Sequence, residues 1–264
     1  MERLLVLRLE SVGVSAEAVL NGVPLARTGP ARRVVTLPIH EYTLAGANDV
    51  ELVIEPAPPG QPASPQPLLS DGKQGASLRL LLPRVGQVAH PANARTLAEI
   101  SWAPLADEVT EVPATLRRSA ELPIGFPRWR WLDAPVVADP SACLAPAAAY
   151  LQGLALGLAR GDPEPLLMAA RLRFEELAQA YQHDLADDVG RFRVQVQQQH
   201  ASQPLRPLMP KADALLLRPV AGGRLLECLT PAGEPALQSP LAGGGRASWP
   251  VRLAFIEGRF YVLR

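Results

Sequence analysis

The spacing of the hydrophobic residues changes along this chain, and that change limits the folds available to it. Near the N-terminus apolar residues alternate with their neighbours at Leu5, Leu7 and Leu9, which is the period of a half-buried β-strand. From Leu167 to Val196 they recur at steps of three and four, the period of an amphipathic α-helix. The order predicts two domains, an all-β sandwich followed by an α+β domain with helices packed on an antiparallel sheet.

The first half consists of short strand-like segments separated by turn residues. Asn21-Gly22 joins Ala18–Leu20 to Val23–Leu25, and because this dipeptide tolerates positive φ angles it predicts a tight β-hairpin. Five further segments are predicted to be strands: 34–39, 50–55, 77–82, 97–102 and 128–137. We therefore predict a β-sandwich domain over residues 1–140.

A proline-rich segment interrupts the strands. Between Pro56 and Pro67 six of twelve residues are proline, which lacks the backbone N–H that the interior of a sheet requires. We predict an exposed loop over residues 56–76. Its PxxP spacing is also that of a polyproline ligand, but no basic residue flanks it, which favours a simple connection.

The second half begins with helices and returns to strands. Asp162-Pro163-Glu164 carries the signals of a helix start, namely an N-cap carboxylate, a proline and an acid in the first turn. One long helix is predicted from there, because nine apolar residues fall on a single stripe: Leu167, Ala170, Phe174, Leu177, Tyr181, Leu185, Val189, Phe192 and Val196. A smaller helix over residues 147–159, closed by Gly161, precedes it.

Five strands are predicted after this helix: 214–220, 224–229, 236–239, 251–256 and 259–263. Gly222-Gly223 and Glu257-Gly258 stand between successive runs and predict hairpin turns. Helices followed by an antiparallel meander predict an α+β domain over residues 145–264.

Part of the first half resembles a known domain type. Residues 19–25, 35–39 and 44–54 form a strand with an Asn-Gly turn, an edge segment and a Gly-x-Asn turn that leads into an apolar strand. This pattern resembles the galactose-binding-like jelly-roll domains found as accessory modules in many glycoside hydrolases. The resemblance implies a jelly-roll sandwich that either binds carbohydrate or is purely structural.

The second half looks like the nuclear transport factor 2-like, or cystatin-like, α+β fold in the order of its elements. Its helical start is followed by a sheet that ends in an aromatic-rich strand, residues 258–262. That resemblance implies helices packed on a curved antiparallel sheet. Members of this fold include enzymes, ligand binders and assembly modules, so the fold does not decide the function.

Charge and cysteine content exclude several classes of function. The chain has 26 basic and 26 acidic residues, and its only adjacent basic pairs are Arg32-Arg33 and Arg117-Arg118. Nucleic-acid binding requires clustered cations, so no nucleic-acid partner is expected. Two cysteines, Cys143 and Cys228, do not make a disulfide framework. The apolar run Leu4–Leu7 is too short for a signal or membrane segment, so we expect a cytoplasmic protein without membrane contact.

Two pairs of metal-capable residues lie on the predicted long helix. His183 and Asp187 are four residues apart, as are Asp184 and Asp188, so each pair shares a helical face in that prediction. A metal site needs three or more converging ligands, and the sequence shows no third. We favour a solvated polar face, predict no metal or other cofactor, and keep all four residues as candidate ligand or partner contacts.

Arg128-Trp129-Arg130-Trp131 is the most unusual tetrad in the chain. On the predicted strand, Trp129 and Trp131 project from one face, where paired rings hold a sugar or a partner surface in other proteins. Burial in the core or at the domain junction is favoured, because tryptophan is mostly buried. Trp129 and Trp131 complete the set of candidate contacts.

No catalytic constellation is evident. The chain lacks a Gly-x-Ser-x-Gly elbow, and neither cysteine has an adjacent histidine, so no catalytic residue is assigned. The favoured hypothesis is a non-catalytic protein that binds or assembles with a protein partner or a small ligand. Two alternatives stay open: an enzyme with a small-molecule pocket between the long helix and the sheet, and carbohydrate recognition by the sandwich.

Overall fold

A computed structural model describes residues 4–59, 61, 63–84, 86–122 and 125–264 of the chain. The protein is mostly β, with 39% strand and 27% helix, and it contains several antiparallel sheets and a few helices. This content is compatible with the predicted combination of a β-sandwich and an α+β fold. The chain divides into two compact units, Met1–Ala57 with Gln61–Arg128, and Trp129–Arg264 with Pro58–Gly60. A boundary between two folding domains at residues 140–145 stays a prediction.

The first unit is built from antiparallel strands. Ten occur in its described residues: β1 (Val6–Val12), β2 (Ala16–Leu20), β3 (Val23–Thr28), β4 (Val34–Pro38), β5 (Gly46–Ile54), β6 (Gln66–Asp71), β7 (Gly75–Pro83), β8 (Ala94–Trp102), β9 (Ala106–Val112) and β10 (Ala114–Leu122). They form two four-stranded sheets, in the orders β4-β1-β7-β8 and β10-β5-β2-β3, and a separate two-stranded ribbon, β6-β9. Short 3-10 helices lie at His40–Tyr42 and Pro91–Asn93.

The alternation predicted from Leu5 onward sets the faces of the first sheet. Leu7 and Leu9 on β1 are fully buried, whereas Arg8 and Glu10 lie on the opposite face and are only half-buried. Successive side chains of a strand point to opposite faces, so one face of the sheet contributes to the core and the other carries charge. The second sheet has the same arrangement at β5, where alternate residues are buried.

Two asparagine side chains hold the predicted hairpin in place. Val19 pairs with Pro24 and Leu20 with Val23, and both Asn21 and Gly22 have positive φ, which confirms the turn. The Asn21 Nδ2 group donates to the Asn48 Oδ1 atom at 2.9 Å, and the fully buried Asn48 side chain bonds the backbone of residues 44 and 46. The Gly-x-Asn element of the jelly-roll resemblance is therefore part of the folding framework.

The segment predicted to be a proline-rich loop contains a strand. Within 56–76, β6 pairs with β9, and Pro67 is accommodated because the ribbon has only two strands. The loop prediction is therefore wrong for Gln66–Asp71 and for Gly75 and Ala76, which begin β7, and Gly60 and Pro62 lie outside the described residues. Strands β9 and β10 were not predicted, because charged residues replace much of the apolar alternation between residues 106 and 122.

The second unit combines helices and strands. Its helices are α1 (Leu144–Ala159), α2 (Glu164–Ala169), α3 (Arg171–Tyr181) and α4 (Leu185–Ser202). Its strands are β11 (Leu216–Val220), β12 (Leu225–Leu229), β13 (Gln238–Pro240), β14 (Arg246–Ser248), β15 (Arg252–Ile256) and β16 (Arg259–Val262). They form a four-stranded antiparallel sheet in the order β11-β12-β15-β16 and the pair β13-β14. Short 3-10 helices lie at Arg130–Asp133, Pro140–Cys143 and Ala212–Ala214.

The prediction of one long helix from residue 162 is wrong. Three helices, α2, α3 and α4, share the stripe, and Gln182 adopts a left-handed conformation, with φ 54°, that ends α3. Asp184 then caps a new helix by accepting hydrogen bonds from the N–H groups of Ala186 and Asp187 at 2.8 and 3.1 Å. The apolar stripe continues across the break because the spacing of apolar residues reflects which side of each helix faces the core. That spacing does not require the helix to be continuous.

The core of the second unit lies around α1. Leu151, Leu154 and Leu158 of this helix belong to one buried cluster with Leu226 and Leu253 of the sheet. The segment Pro140–Ala159 is long and apolar enough to cross a membrane by length and composition, and 44% of its most apolar window is buried in the protein. A core helix of a soluble protein has the same properties, so the fold is compatible with a soluble protein, and the cytoplasmic location stays a prediction.

Two valines of β1 test how deeply the two ends of this strand are buried. Val6 is 3% exposed and Val12 is 51% exposed, so they form a matched pair on one strand. Val6→Ala should lower the free energy of unfolding by about 1.5–3 kcal/mol, because it removes buried methyl groups. Val12→Ala should cost less than about 1 kcal/mol. Urea denaturation followed by circular dichroism measures both, and equal losses would contradict the difference in burial between the two ends of β1.

Candidate functional site

The four candidate residues near residue 185 lie at the junction of α3 and α4. His183 precedes α4, Asp184 is its N-cap, and Asp187 and Asp188 lie in its first turn. His183 and Asp187 therefore do not share a face of one helix, and the prediction that they do is wrong because His183 lies before the start of α4. Instead the His183 Nδ1 atom lies 3.4 Å from the Asp188 Oδ1 atom.

The carboxylates of this junction are mostly engaged. Asp188 forms an ion pair with Arg191 as well as the contact with His183, and the Asp184 carboxylate accepts the two N–H groups at the helix start. In the part of the chain that the structure describes, no group of three or more His, Cys, Asp or Glu side chains is arranged to hold a metal ion. The junction thus organises a helix start, where acids are favoured by the helix dipole.

Helix α4 packs one side against its unit and leaves the other side open, so most of its residues are exposed or half-buried. Of its 18 residues only Val196 is buried. An open groove of about 680 Å³ runs along one side of the helix. Its lining includes Ala186, Asp187, Gly190, Arg191, Val194 and Gln198. Val196 and Phe192 pack this helix against the buried cluster of its unit, and the groove lies along a side that its own unit does not cover.

Gly190 lies in this groove, and packing within the described fold does not require a glycine at this position. A Cβ atom built there meets no other atom within 4 Å. Glycine in a helix interior costs about 1 kcal/mol relative to alanine. A glycine that its own chain does not require lets another surface approach the helix backbone closely.

The two candidate tryptophans lie in a turn, not on a strand. Residues 130–133 form a 3-10 helix, so the strand prediction for 128–137 is wrong there, and the one-face arrangement of the rings no longer follows. Trp129 is 0% exposed and Trp131 is 2% exposed, which agrees with the favoured reading of burial. Neither ring offers a free face for a ligand.

A buried ion pair next to Trp129 escaped the sequence analysis. Glu176 of α3 is 4% exposed and Arg264 is 2% exposed, and the Arg264 guanidinium pairs with the Glu176 carboxylate. The other carboxylate oxygen accepts the backbone N–H of Arg130 at 2.7 Å. The Arg264 Cζ atom lies 5.6 Å from the centre of the Trp129 ring. These contacts connect α3, the segment before the 3-10 helix and the end of the sheet.

The outer face of the first sheet carries a ladder of charges. Arg8 and Arg79 contact the two oxygens of Glu10 at 2.6 and 2.9 Å, and Arg79 also contacts Glu99 at 2.8 Å. The hydrogen bond from Arg8 lowers the pKa of Glu10, and the hydrogen bond from Arg79 lowers the pKa of Glu99. Both carboxylates are therefore charged at neutral pH.

An open groove of about 310 Å³ adjoins this ladder. Its lining includes Glu10, Lys73, Ser77, Ser101 and the partly exposed Trp102. The pairing of β1, β7 and β8 places Glu10 opposite Ser77 and Ser77 opposite Ser101. Sequence reasoning missed this groove because its polar residues come from three separate strands.

Neither cysteine has the properties of a nucleophile. Burial raises the pKa of the Cys143 thiol and, more strongly, that of Cys228. Burial also raises the pKa of Tyr150 to about 12. These groups are protonated at neutral pH, and a protonated thiol is neither a good nucleophile nor a metal ligand.

Comparisons with protein-family models, curated proteins and solved structures found no match to this chain.

The buried ion pair provides a test of how the second unit is held together. Glu176→Gln should lower the free energy of unfolding by about 3–5 kcal/mol, because it removes the carboxylate that pairs with the buried Arg264 guanidinium. Glu175→Gln is the matched control, since Glu175 pairs with Arg130 and Arg171 at the surface, and it should cost about 1 kcal/mol or less.

Urea denaturation of both variants measures these costs. The double change Glu176→Met with Arg264→Met should recover much of the loss, because no unpaired charge remains. Equal costs for Glu175→Gln and Glu176→Gln would contradict a structural role for the pair.

Proposed function

We propose that this chain is a non-catalytic assembly protein whose second unit pairs with a second copy of itself through the groove face of α4. The observation that carries the proposal is the exposure of this helix, of which only Val196 is buried. At 1.5 Å per residue its 18 residues extend about 27 Å. An amphipathic helix left open along this length is a typical protein-docking surface.

The charges on the groove favour a second copy as the occupant. The Asp187 carboxylate forms no ion pair within the described chain, and the Arg191 side chain is 65% exposed beyond its pair with Asp188. A two-fold axis between these residues places Asp187 of each copy opposite Arg191 of the other in an antiparallel arrangement, so the same face is complementary to itself. Gly190, beside this axis, permits close approach of the two helices.

Two observations favour assembly over the enzyme alternative. The enzyme alternative requires a pocket between one long helix and the sheet. That helix is divided into α2, α3 and α4, and α4 contributes a single buried residue. Between α1 and the sheet lie packed apolar side chains of one buried cluster. The finer fold assignments, a jelly-roll-like sandwich and a nuclear transport factor 2-like α+β domain in separate domains, belong to the same proposal, since both folds serve as non-catalytic modules.

Charge reversal tests the proposed self-association. Asp187→Arg and Arg191→Asp should each weaken dimerisation about tenfold or more, because each places like charges opposite one another. The double change restores the opposite pairs and should return the affinity towards that of the parent. Sedimentation velocity over a range of protein concentrations measures all four proteins.

Arg193→Glu is the control, since this charge reversal lies on α4 outside the groove and should leave dimerisation unchanged. A parent protein that is monomeric at all concentrations would refute the proposal. So would a double variant that dimerises as poorly as the single ones.

Carbohydrate recognition by the first unit is a second candidate, favoured by the groove that Glu10, Ser77 and Ser101 line on one face of the sheet, with Trp102 of the opposite face at its end. Carboxylates and hydroxyls bond sugar hydroxyl groups, and an aromatic ring packs against the sugar face. Galactose and lactose are suitable probes, with titration followed by NMR of the tryptophan side-chain N–H groups. Trp102→Ala should weaken binding about tenfold. Ser119→Ala, on the other sheet, should change nothing, and an absence of saturable shifts would exclude these sugars.

A further inference from the structure

The two-stranded ribbon β6-β9 has strand edges without a neighbour. Its register pairs Pro67 with Glu111, Leu68 with Thr110 and Leu69 with Val109. In the described structure no third strand joins this ribbon, so each strand has one open edge of backbone N–H and C=O groups. Open edges are sites at which an extended peptide adds as a further strand.

One face of the ribbon exposes apolar side chains. Leu69 is 62% exposed and Val109 is 61% exposed, and they lie directly opposite each other. The adjacent Leu105 is exposed as well. On the opposite face Ser70 and Val112 are buried, so the ribbon is anchored to its unit by that side. The exposed Leu69–Val109 pair is therefore not needed for packing within the unit.

The same ribbon carries unpaired negative charge. Asp71, Asp107, Glu108 and Glu111 are all exposed, and none of them forms an ion pair in the described part of the chain. Lys73 is the only cation in the segments 66–74 and 105–112. The surroundings of the Leu69–Val109 pair therefore favour a partner with basic side chains around an apolar one.

We infer that the ribbon docks an extended basic segment of another polypeptide, which pairs with the open edge of β9. This edge is favoured over that of β6, because Pro67 removes a backbone donor from β6, whereas β9 contains no proline. Lysine or arginine side chains of the added strand lie near the four carboxylates, and its apolar side chains extend the Leu69–Val109 pair.

A second copy of this chain is not the occupant of the ribbon. Two β9 strands brought together place Asp107, Glu108 and Glu111 of both copies side by side, and like charges on adjacent strands repel. The ribbon is therefore independent of the self-association proposed for α4, and the two proposals fail separately.

A labelled peptide of eight residues tests this inference with the full chain. Lysine and valine take turns at every second position, with threonine between them, because side chains two residues apart lie on one face of a strand. Fluorescence anisotropy should show saturable binding that weakens with added salt, whereas a peptide with glutamate in place of lysine should not bind. Asp107→Asn with Glu108→Gln and Glu111→Gln should weaken binding about tenfold, because three exposed ion pairs are lost. Val109→Thr should also weaken binding, since it replaces a methyl group in the docking pair.

Glu121→Gln is the control, an exposed carboxylate of β10 outside the ribbon, and it should leave the affinity unchanged. Methylating the peptide N–H groups that face β9 should abolish binding, while methylating the alternate set should not, because only one set faces the edge. Equal binding by the parent and the triple variant would overturn the inference. So would an absence of binding, or equal binding by both methylated peptides.

Discussion

A fully buried ion pair, Glu176 with Arg264, connects the main parts of the second unit. Removing two charges from water costs several kcal/mol each, so such a pair persists only when further contacts satisfy it. The Glu176 carboxylate also accepts the Arg130 N–H, and the guanidinium donates to the Leu263 carbonyl and lies against Trp129. Helix α3, the segment at Trp129 and the end of the sheet must therefore be in place together, which makes their folding cooperative.

In the first unit, too, a buried polar side chain has its hydrogen bonds satisfied by several partners, but there the side chain is neutral. Asn48 is fully buried and bonds both the Asn21 amide and the turn that precedes β5. Its charges, by contrast, lie in the ladder on the outer face of the sheet, where Arg8 and Arg79 neutralise Glu10. In both units these polar contacts are satisfied within the fold, so they contribute to its stability.

Sequence patterns predicted the elements whose signal is local and missed those set by distant contacts. The Asn21-Gly22 hairpin and most strands with apolar alternation were found, because turn chemistry and period act over a few residues. The break at Gln182 was missed, since neither proline nor glycine marks it, and only the Asp184 cap signals the new helix. Glu176 and Glu175 are adjacent and chemically identical, so no local pattern shows which one is buried against a residue 88 positions away. Strands β6 and β9 support each other across the intervening chain, and their exposed side chains lack the usual alternation.

The two surfaces that we propose as docking sites differ in the sign of their charge, and this difference is the reason for proposing a different partner for each. Helix α4 presents Asp187 and Arg191 together, and a face with both signs is able to complement a copy of itself. The β6-β9 ribbon presents carboxylates around Leu69 and Val109, so identical copies repel and a basic strand is attracted. A chain with zero formal net charge thus segregates charge locally. It is this local pattern, and not the overall balance, that distinguishes a surface suited to self-association from one suited to a different polypeptide.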